Sequence, residues 1–142
     1  MTDGQRLKTY IEGFDRIMEG GVPEGHLVLV AGTPGTMKSS LCYYMLYNHA
    51  MESGMTSVYV TLEQSRESLL KQMEKMGMHT DQVKDKVHVL DMGIIRRKLK
   101  EVQGGSSWLH VFKSYMANLN DNLAYKVLVI DSLEVLEPKI RS

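Results

Sequence analysis

Apolar positions along the chain switch between two periods. His26-Leu27-Val28-Leu29-Val30-Ala31 is a nearly continuous apolar run, the pattern of a strand covered on both faces, and it predicts a buried strand over 26–31. From Lys38 to Ser53 the residues Leu41, Cys42, Met45, Leu46 and Ala50 recur at helical spacing, with Gly54 as the stop. Ser57-Val58-Tyr59-Val60-Thr61-Leu62 is rich in β-formers and predicts a second strand. Ser65 is placed to cap a helix that ends at Gly77, with Leu69, Leu70, Met73 and Met76 on one face and Glu67 and Lys71 paired on another. A third strand is expected over 86–90 and a short basic helix over 94–102, broken by Gln103-Gly104-Gly105-Ser106. After Ser107, a helix carries Trp108, Val111, Phe112, Tyr115, Met116 and Leu119 on one face, and Lys126-Val127-Leu128-Val129-Ile130-Asp131 reads as a fourth strand. Alternating strands and helices make this an α/β chain with a mostly parallel sheet flanked by helices.

Composition narrows the partners. With 142 residues the chain can bury a core, and 17 basic against 17 acidic residues remove any general attraction to nucleic acid or anionic membrane. No apolar run is long enough to span a bilayer, and Met1-Thr2-Asp3-Gly4-Gln5-Arg6 lacks a signal-peptide core, so no membrane partner is expected. Cys42 is the only cysteine, which excludes an intrachain disulfide and fits a cytoplasmic setting. The five histidines fall in no metal-ligand spacing, and the 11 methionines read as flexible core filler.

The chemistry concentrates between the first strand and the first long helix, at Gly32-Thr33-Pro34-Gly35-Thr36-Met37-Lys38-Ser39 followed by Ser40. Phosphates need converging backbone N–H groups and the positive end of a helix, and glycines permit the close approach. Lys38 is the candidate for the β- and γ-phosphates and Ser39 for magnesium. The motif asks for glycine before the lysine, and here stands Met37. Two further carboxylates sit at strand ends. Asp131 closes an apolar strand, where an acid can orient a metal-bound water, and Glu63 follows the second strand, where a base can take the proton of an attacking water.

Together these segments resemble the KaiC-like branch of the RecA/DnaB ATPase superfamily in its single-domain form. Ile11-Glu12-Gly13-Phe14-Asp15 is similar to the family's opening motif. Gly20-Gly21-Val22-Pro23-Glu24-Gly25 is similar to its turn into the P-loop strand. Val60-Thr61-Leu62-Glu63-Gln64-Ser65 resembles the catalytic-glutamate segment, and Val129-Ile130-Asp131-Ser132-Leu133 the Walker B strand. The likeness implies a RecA-like P-loop NTPase core that binds ATP with Mg2+ through Gly32 to Ser40. It implies Lys38 and Glu63 as catalytic residues and Ser39 and Asp131 at the metal. A homo-oligomer, in the family a hexamer, is implied by the same likeness.

Three departures qualify it. Met37 replaces a glycine, and Gln64 follows Glu63 where KaiC has two adjacent glutamates. The chain also stops soon after Walker B, whereas the family's next strand inserts between the P-loop and Walker B strands. We therefore expect residues 1–142 to be the N-terminal portion of a longer ATPase domain, short of its C-terminal strands, because an empty slot would expose two strand edges. Otherwise the two strands pair directly or a partner fills the gap. Two other readings stay open at this level: a nucleotide-gated scaffold without useful turnover, and a nucleic-acid-dependent motor resting on Arg96-Arg97-Lys98-Leu99-Lys100. The bland counterpart of that run is a solvated helix face.

Overall fold

The computed structural model describes residues 5–91, 93 and 108–132. Three parallel strands form the sheet, and all three fall on expected strand runs, 57–62, 86–90 and 126–131. After a short antiparallel pair, β1 (Arg6–Leu7) with β2 (Val22–Pro23), and one turn of helix between them, α1 (Phe14–Ile17), the chain enters α2 (Lys38–Ser53). It continues through β3 (Ser57–Thr61), α3 (Arg66–Lys75), a 3-10 turn (Thr80–Val83), β4 (Val87–Asp91), α4 (Trp108–Leu123) and β5 (Val127–Asp131). The sheet order is β4-β3-β5, with Tyr59 opposite Val89 and Val129, and Thr61 opposite Asp91 and Asp131.

The central strand β3 is buried at every position because both faces are covered. Side chains alternate across a strand, so Tyr59 joins α2, α3 and β4 in one core with Tyr43, Leu46, Leu69, Met73, Val87 and Val89. Val58, Val60 and Leu62 point the other way and meet Phe112 and Met116 of α4. The result is a helix–sheet–helix sandwich.

Local signals set the helix ends. Gly54 adopts φ 68° and donates its N–H to the Ala50 carbonyl, terminating α2 where the glycine predicts it. Ser65 is extended and its Oγ accepts from the Ser68 N–H at 3.1 Å, and Gly77 with φ 90° follows Met76, the C-cap of α3. On α3, Leu69 and Met73 are fully buried, but Met76, expected on the same face, is 44% exposed because the helix has already ended there. Among the described residues Glu67 and Lys71 form no ion pair. The helix expected over 94–102, with its basic run, lies outside the described residues, as do the side chains of Trp108 and Val111.

The expected strand over 26–31 is not part of the sheet. Leu27 is 97% exposed, Leu29 75% and Val28 54%, and the segment pairs with no strand among the described residues. It does not pair with β5 either, so direct pairing of the two strands is excluded in this structure. The physical reason is that no neighbouring strand stands beside it among the described residues. An apolar run becomes a strand only when another strand takes up its N–H and C=O groups, and β5 has β3 on one side and no described strand on the other.

Candidate functional site

The register places the strand-end carboxylates at one edge. All three strands run the same way and end at the same level, where parallel α/β sheets bind ligands. Two aspartates flank Thr61 there. Asp91 is engaged by α3, accepting from the Arg66 N–H through Oδ2 at 2.8 Å. Asp131 faces the other way along the edge, toward the start of α2.

That start is built by the loop 32–37. Pro34 and Gly35, the latter at φ 85°, occupy the two central places of a tight turn that Thr36 Oγ1 closes on the Thr33 carbonyl at 2.7 Å. A Cβ at Gly32 would stand 2.6 Å from Thr36 Oγ1, so a side chain there would displace the hydroxyl that closes the turn. Lys38 curls back, its Nζ donating to the Gly32 carbonyl at 2.5 Å and the Thr33 carbonyl at 3.4 Å. Met37 takes the left-handed conformation (φ 65°, ψ 29°) as N-cap of α2. This explains the motif's glycine, since the conformation costs an L-residue roughly 1–2 kcal/mol. The Met37 side chain is 59% exposed and offers no acceptor to the first turn, so no side chain at the N-cap satisfies the helix's leading N–H groups. Gly32, Thr33, Pro34, Gly35 and Thr36 are exposed, while Ser40 is buried in the first turn.

Ser39, one residue into α2, reaches across to the sheet. Its Oγ donates to Asp131 Oδ2 at 2.5 Å. Tyr59, fully buried on β3, donates its hydroxyl to the same oxygen at 2.6 Å. Burial first, and the bond to Asp131 second, push the Tyr59 phenol far above its ordinary value, so it stays protonated as a donor. Burial and the nearby Asp131 charge likewise raise the Cys42 thiol, which keeps it neutral. Glu63 comes into the same edge from β3, accepting from Ser132 Oγ at 3.1 Å, and the Leu62 N–H extends the ladder to the Asp131 carbonyl at 2.7 Å. Gln64 turns elsewhere, its Oε1 accepting from Ser68 Oγ at 3.1 Å.

Ser39, Glu63 and Asp131, singled out from separate stretches of sequence, thus meet at one edge, Glu63 by way of Ser132, while Lys38 beside Ser39 turns its ammonium to the loop carbonyls. Tyr59 was missed. It reads as an ordinary β-former, and its only signal is parity with Thr61 and Glu63, which means nothing until the register with β5 is known.

The N-terminal segment is fastened to this unit by polar contacts. Asp15 accepts from the Thr9 and Tyr10 N–H groups and from Thr9 Oγ1. Burial alone would raise its carboxyl, but these donors outweigh that and hold it below the usual carboxylate range. His49 of α2 contacts the Lys8 carbonyl at 2.7 Å and packs edge-on against Tyr10.

Residues 7–141 match the family model described as "ATPase: KaiC". A UPF0273 protein from Sulfurisphaera tokodaii is 32% identical over 92% of this chain and 49% of its own length. Another, from Saccharolobus solfataricus, is 33% identical over 97% of this chain and 43% of its length. The chain therefore spans about half the length of these relatives. The circadian clock oscillator protein KaiC of Prochlorococcus marinus is 35% identical over 61% of the chain and 18% of its own length. In structure, a KaiC-like protein from the hyperthermophilic archaeon Pyrococcus horikoshii superposes with a TM-score of 0.78 at 31% identity, over 94% of this chain and 57% of that one. The β4-β3-β5 sheet with helices on both faces is thus a RecA-type arrangement, and the chain belongs to the KaiC family of ATPases.

Proposed function

We propose that residues 32–40 bind the phosphates of ATP with magnesium and that the site hydrolyses the γ-phosphate. The observation that carries this reading is the Ser39–Asp131 hydrogen bond, which joins the helix-start loop to a strand-end carboxylate.

The donor set fits magnesium that arrives with phosphate. Ser39 and Asp131 are hard oxygen donors, and among the described residues no cluster of three or more His, Cys, Asp or Glu could cage an ion unaided. Magnesium is characteristically held by one or two protein oxygens, water and substrate phosphates. Ser39 would meet the ion with an oxygen lone pair, its hydrogen bond to Asp131 loosening as it does, and Asp131 would orient a metal-bound water. Bound magnesium supplies positive charge against the phosphate oxygens. Lys38 would leave the Gly32 and Thr33 carbonyls for the β- and γ-phosphates, and the open first turn of α2 supplies N–H donors to them. Glu63 would then take the proton of the water that attacks the γ-phosphorus as the bond to ADP breaks. The homo-oligomer implied by the family likeness belongs to the same proposal, and sedimentation with and without Mg-ATP tests it.

One observation favours a second reading, a nucleotide-gated scaffold without turnover. Gln64, beside Glu63, is held by Ser68, so a single carboxylate must serve where the family resemblance implies two. Phosphate release separates the two readings.

The deciding measurement is calorimetric titration of ATP with magnesium into the protein, with Lys38→Ala as control. Binding that weakens about ten- to a hundredfold in the variant, the loss of one charge-assisted phosphate contact, supports the proposal. A parent that takes up no nucleotide sinks both readings.

A further inference from the structure

Asp131 has a partner that the proposed chemistry does not use. Its Oδ2 receives two hydroxyls: Ser39 Oγ at 2.5 Å from the loop side and Tyr59 Oη at 2.6 Å from beneath the sheet edge. Tyr59 has no exposed surface, and its ring is wedged beside Tyr43, whose ring centroid lies 6.2 Å away. It stands two residues before Thr61, the residue opposite Asp131, on the same face of the sheet. Its position is therefore fixed by packing and register, and not by the loop.

We infer that Tyr59 is a positioning residue that clamps the Asp131 carboxylate in one rotamer, with Oδ2 committed to two donors and Oδ1 turned to a magnesium-bound water. The inference rests on the reading of Asp131 given under the proposed function. Among the described residues no hydrogen bond ends on Oδ1. When Ser39 engages the ion, its hold on Oδ2 weakens and the Tyr59 hydroxyl becomes the anchor that persists. A carboxylate with only Ser39 as donor would be free to rotate as the loop moves. Partners of this kind typically set metal affinity by about 10- to 100-fold.

The experiment is a magnesium titration of the protein with a fluorescent ATP analogue, comparing the parent, Tyr59→Phe and Tyr43→Phe. Tyr59→Phe keeps the ring and removes only the hydroxyl. The half-saturating magnesium concentration should rise at least about tenfold in Tyr59→Phe, with nucleotide affinity in EDTA unchanged and Tyr43→Phe behaving as the parent. An unchanged magnesium requirement in Tyr59→Phe, with a magnesium-dependent parent, overturns this inference alone. A parent whose nucleotide binding ignores magnesium overturns the proposed function and this inference with it. NMR of the unmodified protein keeps the question decidable if Tyr59→Phe does not fold. A slowly exchanging Tyr59 hydroxyl proton that shifts on adding magnesium and ATP supports the clamp, and a rapidly exchanging one, or one blind to magnesium, refutes it.

Discussion

Ser39 and Asp131 stand 92 positions apart in sequence, yet the Ser39 hydroxyl donates to the Asp131 carboxylate at 2.5 Å. This contact ties the first turn of α2 to the end of β5. Removing the hydroxyl should therefore disturb the site without disturbing the core. Ser39→Ala is expected to weaken magnesium-dependent nucleotide binding about tenfold while shifting the urea midpoint little, since Ser39 contributes nothing to the apolar clusters.

Glu63→Gln keeps the size of the side chain and an acceptor for Ser132, but removes the base. Steady-state phosphate release should fall by roughly 10²–10⁴, with ATP binding by calorimetry close to the parent. Hydrolysis at the parent rate would exclude Glu63 as the base.

Met37 bears a backbone cost that glycine would relieve. Met37→Gly should stabilise the protein by up to about 1 kcal/mol, the left-handed strain removed less the extra entropy of glycine in the unfolded chain. Equilibrium urea unfolding measures it. A variant less stable than the parent would mean that Met37 packs rather than strains.

Asp15 gives the stability a pH signature. Its folded-state carboxyl lies below the usual value, held there by Thr9 and Tyr10 against the effect of burial. Its contribution is thus present above the unfolded pKa of about 4 and lost as pH falls through the lower folded value. Asp15→Ala should lower stability near neutrality and show a flatter loss below about pH 4, read from urea midpoints across pH 2 to 7.

Two substitutions test the fold itself. Ser65→Ala should cost about 1 kcal/mol by removing the cap of α3. Leu46→Ala, at a fully buried position in the core under β3, should cost about 2–5 kcal/mol. Thermal or urea unfolding compares them directly.

Helix ends and turn chemistry were legible from local residues. Gly54, Ser65 and Gly77 act through their own backbone and nearest neighbours, so reading them needs no distant information. The same holds for Pro34-Gly35, whose turn is built into the residues. The candidate site was legible in part for a related reason. Element boundaries carry chemistry, and Glu63 and Asp131 sit at strand ends while Lys38 and Ser39 open α2.

Tertiary structure decided what depends on neighbours. The run 26–31 is as apolar as β5, but apolarity alone does not make a strand. The segment has no described partner and stays outside the sheet with Leu27 almost fully exposed. Tyr59 shows the converse. By sequence it is one more β-former, and only the parallel register that sets Thr61 against Asp131 brings its hydroxyl to the carboxylate. Sequence by itself determined periodicity, caps, turns and the residues proposed to hold phosphate. Register and strand pairing, which are non-local, decided which of those residues meet.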